Sequence, residues 1–218
     1  MKLFTDIKTK LIILIFAIIS LSYTAQARDS LAALRADMEA TETDLQTQIT
    51  VLQEGGTGAI QYNIGDTGPA GGIVFYVTGN GMHGLEAAPE DQDGGTGVIW
   101  NNRRLFTQTS AVKKGINDGS FNTDLIIINQ GEGSYAALVS ANYNGGGYEN
   151  WYLPSKDELN LIYNNLYLTG LVSFANDPYW SSSEQNNSSA WGQLFSSGYQ
   201  TNYGKGKNNN RVRAIRAF

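Results

Sequence analysis

The segment that decides the fold is residues 150–158, Asn-Trp-Tyr-Leu-Pro-Ser-Lys-Asp-Glu, which continues as Leu-Asn-Leu-Ile-Tyr at residues 159–163. Its first half predicts a short buried strand that ends at Pro154, because proline cannot donate a hydrogen bond to a sheet. Ser155 and Glu158 have the spacing of a reciprocal capping box, so a helix is predicted to begin directly after the strand. Apolar residues recur at helical spacing behind it, at Leu159, Ile162, Tyr163 and Leu166.

Composition excludes several classes of enzyme. The chain has 218 residues, of which 41% are hydrophobic and 16% charged, as expected for a globular protein. It contains no cysteine and one histidine. Disulfides, thiolate metal sites, cysteine catalysis and a multi-histidine metal centre within one subunit are therefore excluded. We predict a protein that is not an enzyme and needs no cofactor.

The N-terminus has the pattern of a secretory signal peptide, predicted to span residues 1–27. Lys2, Lys8 and Lys10 precede an apolar run at residues 11–19, and Ala-Gln-Ala follows at residues 25–27. A basic region, a short apolar region and a small-x-small site together predict export and cleavage. A retained membrane anchor is the alternative, although the apolar run is short for a bilayer. The predicted location is secreted, periplasmic or at the cell surface.

Residues 28–54 predict a helical stalk. Five apolar residues fall on a heptad seam whose two remaining positions are Thr41 and Gln48; they are Leu31, Leu34, Met38, Leu45 and Leu52. Such a seam is typical of a short coiled coil that holds copies of a chain together. We expect a homo-oligomer, and by analogy a trimer. A single amphipathic helix lying on the domain is the alternative. Residues 55–64 then form a flexible, glycine-containing linker.

Residues 65–218 are expected to form one domain with alternating strand, turn and helix patterns. Strands at 73–77 and 84–89 are predicted to form a hairpin around the turn at 79–81. Residues 196–210 are polar and glycine-rich, and we expect a long hairpin loop there. The remaining predictions are a strand at 98–100, a loop at 117–125 that opens a helical turn at 122–124, a helix at 134–142, and strands at 177–184, 190–195 and 211–218.

Two clusters of polar residues are weak candidates for chemistry. Glu90, Asp91 and Asp93 could bind calcium or form a solvated acidic loop, but the full EF-hand pattern is missing and no metal site is predicted. Ser181–Ser183 lie beside Glu184 without the G-x-S-x-G pattern of a nucleophile elbow, so no catalytic residue is assigned.

Four motifs, in order, resemble those of the Lcl C-terminal domain family, named for the C-terminal domain of a bacterial collagen-like adhesin. They are Gly-Asp-x-Gly-Pro-Ala-Gly-Gly at 65–72, Trp-Tyr-Leu-Pro-Ser-Lys-x-Glu-Leu at 151–159, Tyr-Trp-Ser-Ser-Ser-Glu at 179–184 and Val-Arg-Ala-Ile-Arg at 212–216. The resemblance implies an α+β, C-type-lectin-like domain: a small twisted antiparallel sheet, two helices and long loops. The founding domain is trimeric and binds sulfated polysaccharides. The chemistry of the related sulfatase-modifying enzymes does not carry over, because it needs cysteine, and the Glu-Pro-Asn signature of calcium-dependent lectins is absent.

The basic C-terminal region supplies the candidate ligand-binding residues. Guanidinium and ammonium groups suit the sulfates or carboxylates of an anionic glycan, and exposed tyrosines could stack on sugar rings. The candidates are Lys205, Lys207, Arg211, Tyr199 and Tyr203. Other residues are given structural roles, with Arg213 and Arg216 expected to pair with buried acids such as Glu158 or Glu184. That structural set comprises Trp151, Pro154, Ser155, Glu158, Trp180, Glu184, Arg213 and Arg216, and Trp191 is also expected in the core.

The sequence therefore predicts an exported, non-enzymatic binding or adhesion protein that recognises an anionic surface polysaccharide. The alternative is a structural or protein-binding module of the cell envelope or of a surface appendage. Nucleic acid is not an expected partner.

Overall fold

The computed structural model describes Met38, Glu42 and residues 60–102, 107–207 and 209–218. The chain divides into two units, Met1–Ala59 and Ile60–Phe218. Met38 and Glu42 are helical. The predicted signal peptide, the remainder of the predicted stalk and the first part of the linker lie outside the described residues. Among the residues that are described, no helix is long and apolar enough to cross a membrane.

The second unit contains two three-stranded antiparallel sheets. Strand order is β1-β2-β6 in the first sheet and β3-β4-β5 in the second. The strands, in chain order, are β1 (Ile73–Thr78), β2 (His83–Ala87), β3 (Pro178–Glu184), β4 (Ser189–Leu194), β5 (Tyr199–Gly204) and β6 (Ile215–Ala217). The first sheet thus joins the start of the domain to its end, whereas the second sheet is a local meander.

Three helices lie between the two halves of the first sheet in sequence: α1 (Gly119–Gln130), α2 (Ala136–Ala141) and α3 (Lys156–Ile162). A 3-10 turn, Gly145–Gly147, follows α2, and α3 continues as a π-helical segment, Tyr163–Tyr167. The capping box is confirmed: Glu158 N–H donates to Ser155 Oγ at 3.2 Å, and Ser155 N–H donates to Glu158 Oε2 at 2.7 Å. The α+β class is confirmed with it.

The central segment connects the whole core. Three apolar clusters fill the domain, and each takes one residue from positions 151–153. Trp151 lies in the cluster with Ala214, Tyr152 in the one with Phe195, and Leu153 in the one with Trp180. Tyr152 also pairs with Ile215 of β6 through two backbone hydrogen bonds of 2.8 and 2.9 Å. This segment is therefore the point at which both sheets and α3 meet.

The predicted hairpin at the start of the domain is confirmed as β1 and β2. The predicted loop at 196–210 is wrong, because residues 199–204 form β5, paired to β4 in continuous register. Alternating tyrosine and threonine residues suit a strand, and Gly198 closes the preceding turn with a φ of 74°. Only the end of the predicted final strand forms a ladder, as β6.

Two further predictions fail for a shared reason, which is that tertiary contacts override local pattern. Residues 98–100 form no strand: the N–H groups of Val98 and Trp100 donate singly to Asn210 and Lys205. The predicted loop at 117–125 is the first half of α1, although isoleucines, which favour strands, continue the helix. Burial of Ile126 against α2 and the second sheet decides that conformation.

Glu158 makes the stability of the domain pH-dependent. Burial raises the pKa of Glu158 to about 7, and hydrogen bonds from the amides of Ser155 and Asn117 limit the rise. The unfolded chain releases this proton at the ordinary value, near 4.5. Between these values the folded state binds more protons than the unfolded state, so stability falls as pH rises.

We expect the free energy of unfolding to fall by up to roughly 3 kcal/mol between pH 5 and pH 8 through this group. Urea denaturation at several pH values, compared between the natural chain and Glu158→Gln, measures the contribution of Glu158 to this change in unfolding free energy. Glutamine keeps the capping pattern, so the variant should fold. It should lose the part of the pH dependence of unfolding free energy that Glu158 causes. Equal slopes in both proteins would contradict the assignment to Glu158.

Candidate functional site

Lys205, the first candidate ligand residue, lies inside the domain. Its side chain is 1% exposed and forms an ion pair with the buried carboxylate of Glu184. Lys205 Nζ also donates to Thr107 O at 2.9 Å and lies 4.5 Å from the centre of the Trp100 ring. Burial lowers the pKa of Lys205, and the bond to Glu184 opposes that shift. The structure thus corrects the predicted ligand role: Lys205 is an internal cation.

Arg211 also has its charge compensated. It donates to Asp177 Oδ2 through Nε at 3.0 Å and through Nη2 at 2.8 Å. Asp93 approaches it at 3.8 Å, and the hydrogen bond to Asp177 raises the pKa of Arg211. Its side chain is 18% exposed, so little of it could reach a ligand.

Arg213 and Arg216 pair with carboxylates as predicted, but their partners are the partly buried Asp91 and the buried Glu86 rather than Glu158 or Glu184. Arg213 lies 2.7 Å from Asp91, and Arg216 lies 2.6 Å from Glu86. Glu86 also accepts the amide hydrogens of Ala70 and Gly72 of the glycine-rich motif. The arginines of the closing motif therefore hold the start of the domain to its end.

The acidic loop at 90–93 is part of this arrangement. Asp91 pairs with Arg213 and accepts the Tyr179 hydroxyl hydrogen at 2.9 Å, and Asp93 faces Arg211. No three potential ligand side chains in the described ranges are grouped as a metal site would require.

Three candidates remain on the surface, two on β5 and one just after it. Tyr199 is 66% exposed. Tyr203 is half-buried and packs edge-on against Trp180, with ring centres 5.9 Å apart. Lys207 Nζ lies 4.6 Å from the centre of the Tyr203 ring. We call these three residues the β5 surface; it carries one positive charge.

A second surface was missed by the sequence reasoning and carries more charge. Lys114 Nζ and Lys156 Nζ lie 5.3 and 4.5 Å from the centre of the Trp191 ring. Neither lysine is within ion-pair distance of a carboxylate in the described part of the chain. We call these three residues the lysine–tryptophan patch.

The fold fixes all three backbones of the patch. Lys156 follows the helix cap, where its N–H donates to Ser183 Oγ at 3.0 Å and its carbonyl accepts from Gln200 at 2.8 Å. The carbonyl of Lys114 accepts from Asp157 N–H at 2.9 Å. Trp191 lies in β4. A loop, a helix start and a sheet thus present one set of side chains.

Lys113 extends the basic character beside Lys114. Its Nζ lies 4.1 Å from the centre of the exposed Phe121 ring, although Asp118 offsets part of its charge at 3.8 Å. Lys113 therefore adds a partly compensated ammonium group next to Lys114 in the sequence.

Trp191 was expected in the core and is instead partly exposed, whereas Trp151 and Trp180 are buried as expected. The signal in the sequence was the alternation of β4. Ala190 and Gly192 are small residues that fit a packed face, which leaves Trp191 on the other face of the strand. The convergence of Lys114 and Lys156 on that ring had no local signal, because the three residues are far apart in sequence.

An aromatic ring with two ammonium groups close to it suits an anionic sugar. The ammonium groups can donate charge-assisted hydrogen bonds to sulfate or carboxylate oxygens. The partly exposed ring offers apolar surface to sugar C–H groups, whereas its indole N–H is buried and has no hydrogen-bond partner among the described residues. The described residues show no arrangement of nucleophile and base at this patch.

The match to a family model agrees with three of the four sequence motifs, those at 151–159, 179–184 and 212–216. The family model for the Lcl C-terminal domain matches residues 91–216, more than half of the chain. No curated protein matches the sequence. A crystal structure of a fimbrial protein from Bacteroides ovatus ATCC 8483 is similar at 16% identity and a TM-score of 0.45. That match covers 67% of this chain and 43% of the fimbrial protein.

Proposed function

The chain belongs to the Lcl C-terminal domain family, and we propose that it is a non-enzymatic binding module of the bacterial surface that recognises an anionic polysaccharide. The resemblance of the family to an adhesin domain and the export signal predicted at the N-terminus support this proposal. A C-type-lectin-like fold and an oligomeric stalk belong to the same proposal.

The observation that carries the proposal is the lysine–tryptophan patch. Residues 55–218 contain ten basic and thirteen acidic residues, so binding of a polyanion needs a local concentration of positive charge. Most C-terminal cations are neutralised by buried or adjacent carboxylates. Lys114 and Lys156 are not, and both lie close to a partly exposed aromatic ring. The proposed binding site is therefore this patch rather than the C-terminal region.

We expect the full chain to be retained on immobilised heparin at low salt and released as salt is raised. Lys114→Ala and Lys156→Ala should each weaken binding about tenfold, the effect of losing one charge-assisted hydrogen bond. Affinity chromatography over a salt gradient measures the change.

Lys207→Ala is the matched control, because it removes one positive charge from the β5 surface. It should elute close to the natural chain. If it weakens retention as much as Lys114→Ala does, net charge rather than the patch is responsible. If the natural chain is not retained on any anionic glycan at low salt, the polysaccharide proposal fails.

A protein-binding module is the second candidate, and the exposed face of α1 favours it. Phe121 and Ile128 lie two turns apart on this helix and are 48% and 77% exposed. A contiguous apolar patch on a helix face marks a contact surface, and these two side chains would anchor such a patch on α1. A blank glycan array combined with capture of one envelope protein would favour this candidate.

A further inference from the structure

The outer edge of β5 is unlike the other sheet edges of the domain. Two sheets of three strands have four edges, formed by β1, β6, β3 and β5. Single bridges cover three of them: Thr67 pairs with Ile73 of β1, Tyr152 with β6, and Arg211 with Tyr179 of β3. No such bridge covers β5 in the part of the chain that is described.

The register of the sheet shows which backbone groups of β5 face outward. Lys205 N–H donates to Ser188 O at 2.9 Å, one step beyond the pair formed by Ser189 and Gly204. In an antiparallel ladder the hydrogen-bonded pairs alternate, so residues 199, 201 and 203 direct their backbone groups towards β4. Gln200 and Asn202 therefore direct their N–H and C=O groups away from the sheet. Within the described ranges these groups have no backbone partner.

This edge lacks the usual protection against pairing. Exposed edge strands commonly carry lysine, proline or a bulge that prevents contact with another strand. β5 has the sequence Tyr-Gln-Thr-Asn-Tyr-Gly, with no charge and no proline, and its six pairs with β4 contain no bulge. None of its residues is buried. The strand is thus a regular, uncharged template for a further strand.

The sequence of β5 is nearly the same in both directions, since Tyr-Gln-Thr-Asn-Tyr reverses to Tyr-Asn-Thr-Gln-Tyr. We propose that β5 pairs antiparallel with β5 of a second copy of this chain, about a two-fold axis through Thr201. Only an antiparallel pairing about such an axis uses this symmetry, which is why a second copy is the partner that the strand fits.

The proposed register satisfies both the backbone and the side chains. Gln200 would form a hydrogen-bonded pair with Asn202 of the second copy, and Asn202 with Gln200, so all the outward backbone groups of these residues are used. Tyr199 would lie opposite Tyr203 of the second copy in a non-hydrogen-bonded pair, where side chains are closest. Aromatic pairs in that position stabilise antiparallel strands. The pairing would cover the exposed ring of Tyr199.

The expected dimer is weak. A six-residue strand is about 20 Å long, and pairing along it buries less than the roughly 1,000 Å² of a stable interface. Association should therefore depend on concentration, and it would strengthen if copies were already held together elsewhere in the chain.

Disulfide trapping in the full chain tests the register, because the natural chain contains no cysteine. Thr201→Cys places two thiols opposite each other in a non-hydrogen-bonded pair, with Cα atoms about 4.5 Å apart, within disulfide range. In Asn202→Cys the residue opposite is Gln200, so no thiol faces the new one. We expect Thr201→Cys to give about tenfold more covalent dimer than Asn202→Cys under mild oxidation.

Asn202→Cys also controls for contacts made elsewhere, because association through another segment would raise both covalent dimers alike. Equal amounts of covalent dimer from the two variants, or none from Thr201→Cys at high protein concentration, would overturn the proposal.

A charge test gives a second measurement without oxidation. Thr201→Lys and Thr201→Glu should each abolish pairing through like charges at the axis, and mixing the two should restore it. A mixture that associates no better than either variant alone would also overturn the proposal.

Discussion

Lys205→Ala is expected to lower the free energy of unfolding by about 3–5 kcal/mol. The substitution leaves the carboxylate of Glu184 buried without its counter-charge. The amides of Thr109 and Ser110 still donate to that carboxylate at 2.9–3.0 Å, but two amide dipoles do not replace an ammonium group. Denaturant unfolding of the natural chain and the variant measures the difference.

Lys207→Ala provides the matched control two residues away. Lys207 is exposed, so the loss of its side chain should change stability by no more than about 0.5 kcal/mol. The double substitution Lys205→Met with Glu184→Gln should recover much of the loss, because it removes both charges. Similar small effects for both lysines would contradict the placement of Lys205 in the interior.

Trp180→Ala is expected to cost about 3–5 kcal/mol, the usual range for removing a large buried aromatic side chain. Trp180 is fully buried, donates its indole N–H to Val98 O at 2.8 Å and packs against Tyr203. Both the packing and the hydrogen bond are lost in alanine. Thermal or urea unfolding measures the loss.

Trp191→Ala is the comparison within the same sheet. Because Trp191 is partly exposed, we expect a loss of about 1 kcal/mol or less. The two tryptophans would then separate into a structural residue and a surface residue. A large loss for Trp191→Ala with a small loss for Trp180→Ala would reverse these assignments.

Local patterns in the sequence predicted the elements whose cause is local. The proline, the capping box and the spaced apolar residues of 150–163 all act within one or two turns, and α3 begins where they indicate. The same holds for the hairpin of β1 and β2, where a glycine turn separates two apolar segments. The strand predicted before Pro154 is reduced to a single bridge between Tyr152 and Ile215.

The predictions that are wrong concern residues whose positions depend on contacts with residues far away in the sequence. Lys205 and Arg211 looked like surface cations because charged residues are usually exposed. Their partners Glu184 and Asp177 lie on β3 and just before it, and only the folded chain brings them together. The prediction of a loop at 196–210 missed β5 for a related reason. The polar residues of this segment form a strand because they pair with β4.

The lysine–tryptophan patch shows the same dependence. Lys114 belongs to no recognisable motif, and Lys156 lies in a motif that helix capping explains. Trp191 was expected to lie in the core. Their shared surface depends on the loop, the helix start and β4 meeting in the folded chain. Pattern alone could have placed Trp191 on the outer face of β4, but not the two ammonium groups beside it.

The central claim is that the lysine–tryptophan patch binds the anionic ligand, and the indole N–H signals of the four tryptophans test it most directly. The indole groups of Trp100, Trp151 and Trp180 donate to carbonyl oxygens at 2.8–3.1 Å, whereas that of Trp191 is buried without a partner among the described residues, and its signal reports on the ring beside the two lysines. Titration with a heparin oligosaccharide, followed by NMR with Trp191→Phe to identify the signal, should shift the Trp191 indole peak and leave the other three in place. An unmoved Trp191 peak, with shifts confined to the amides of Tyr203 and Lys207, would contradict the account.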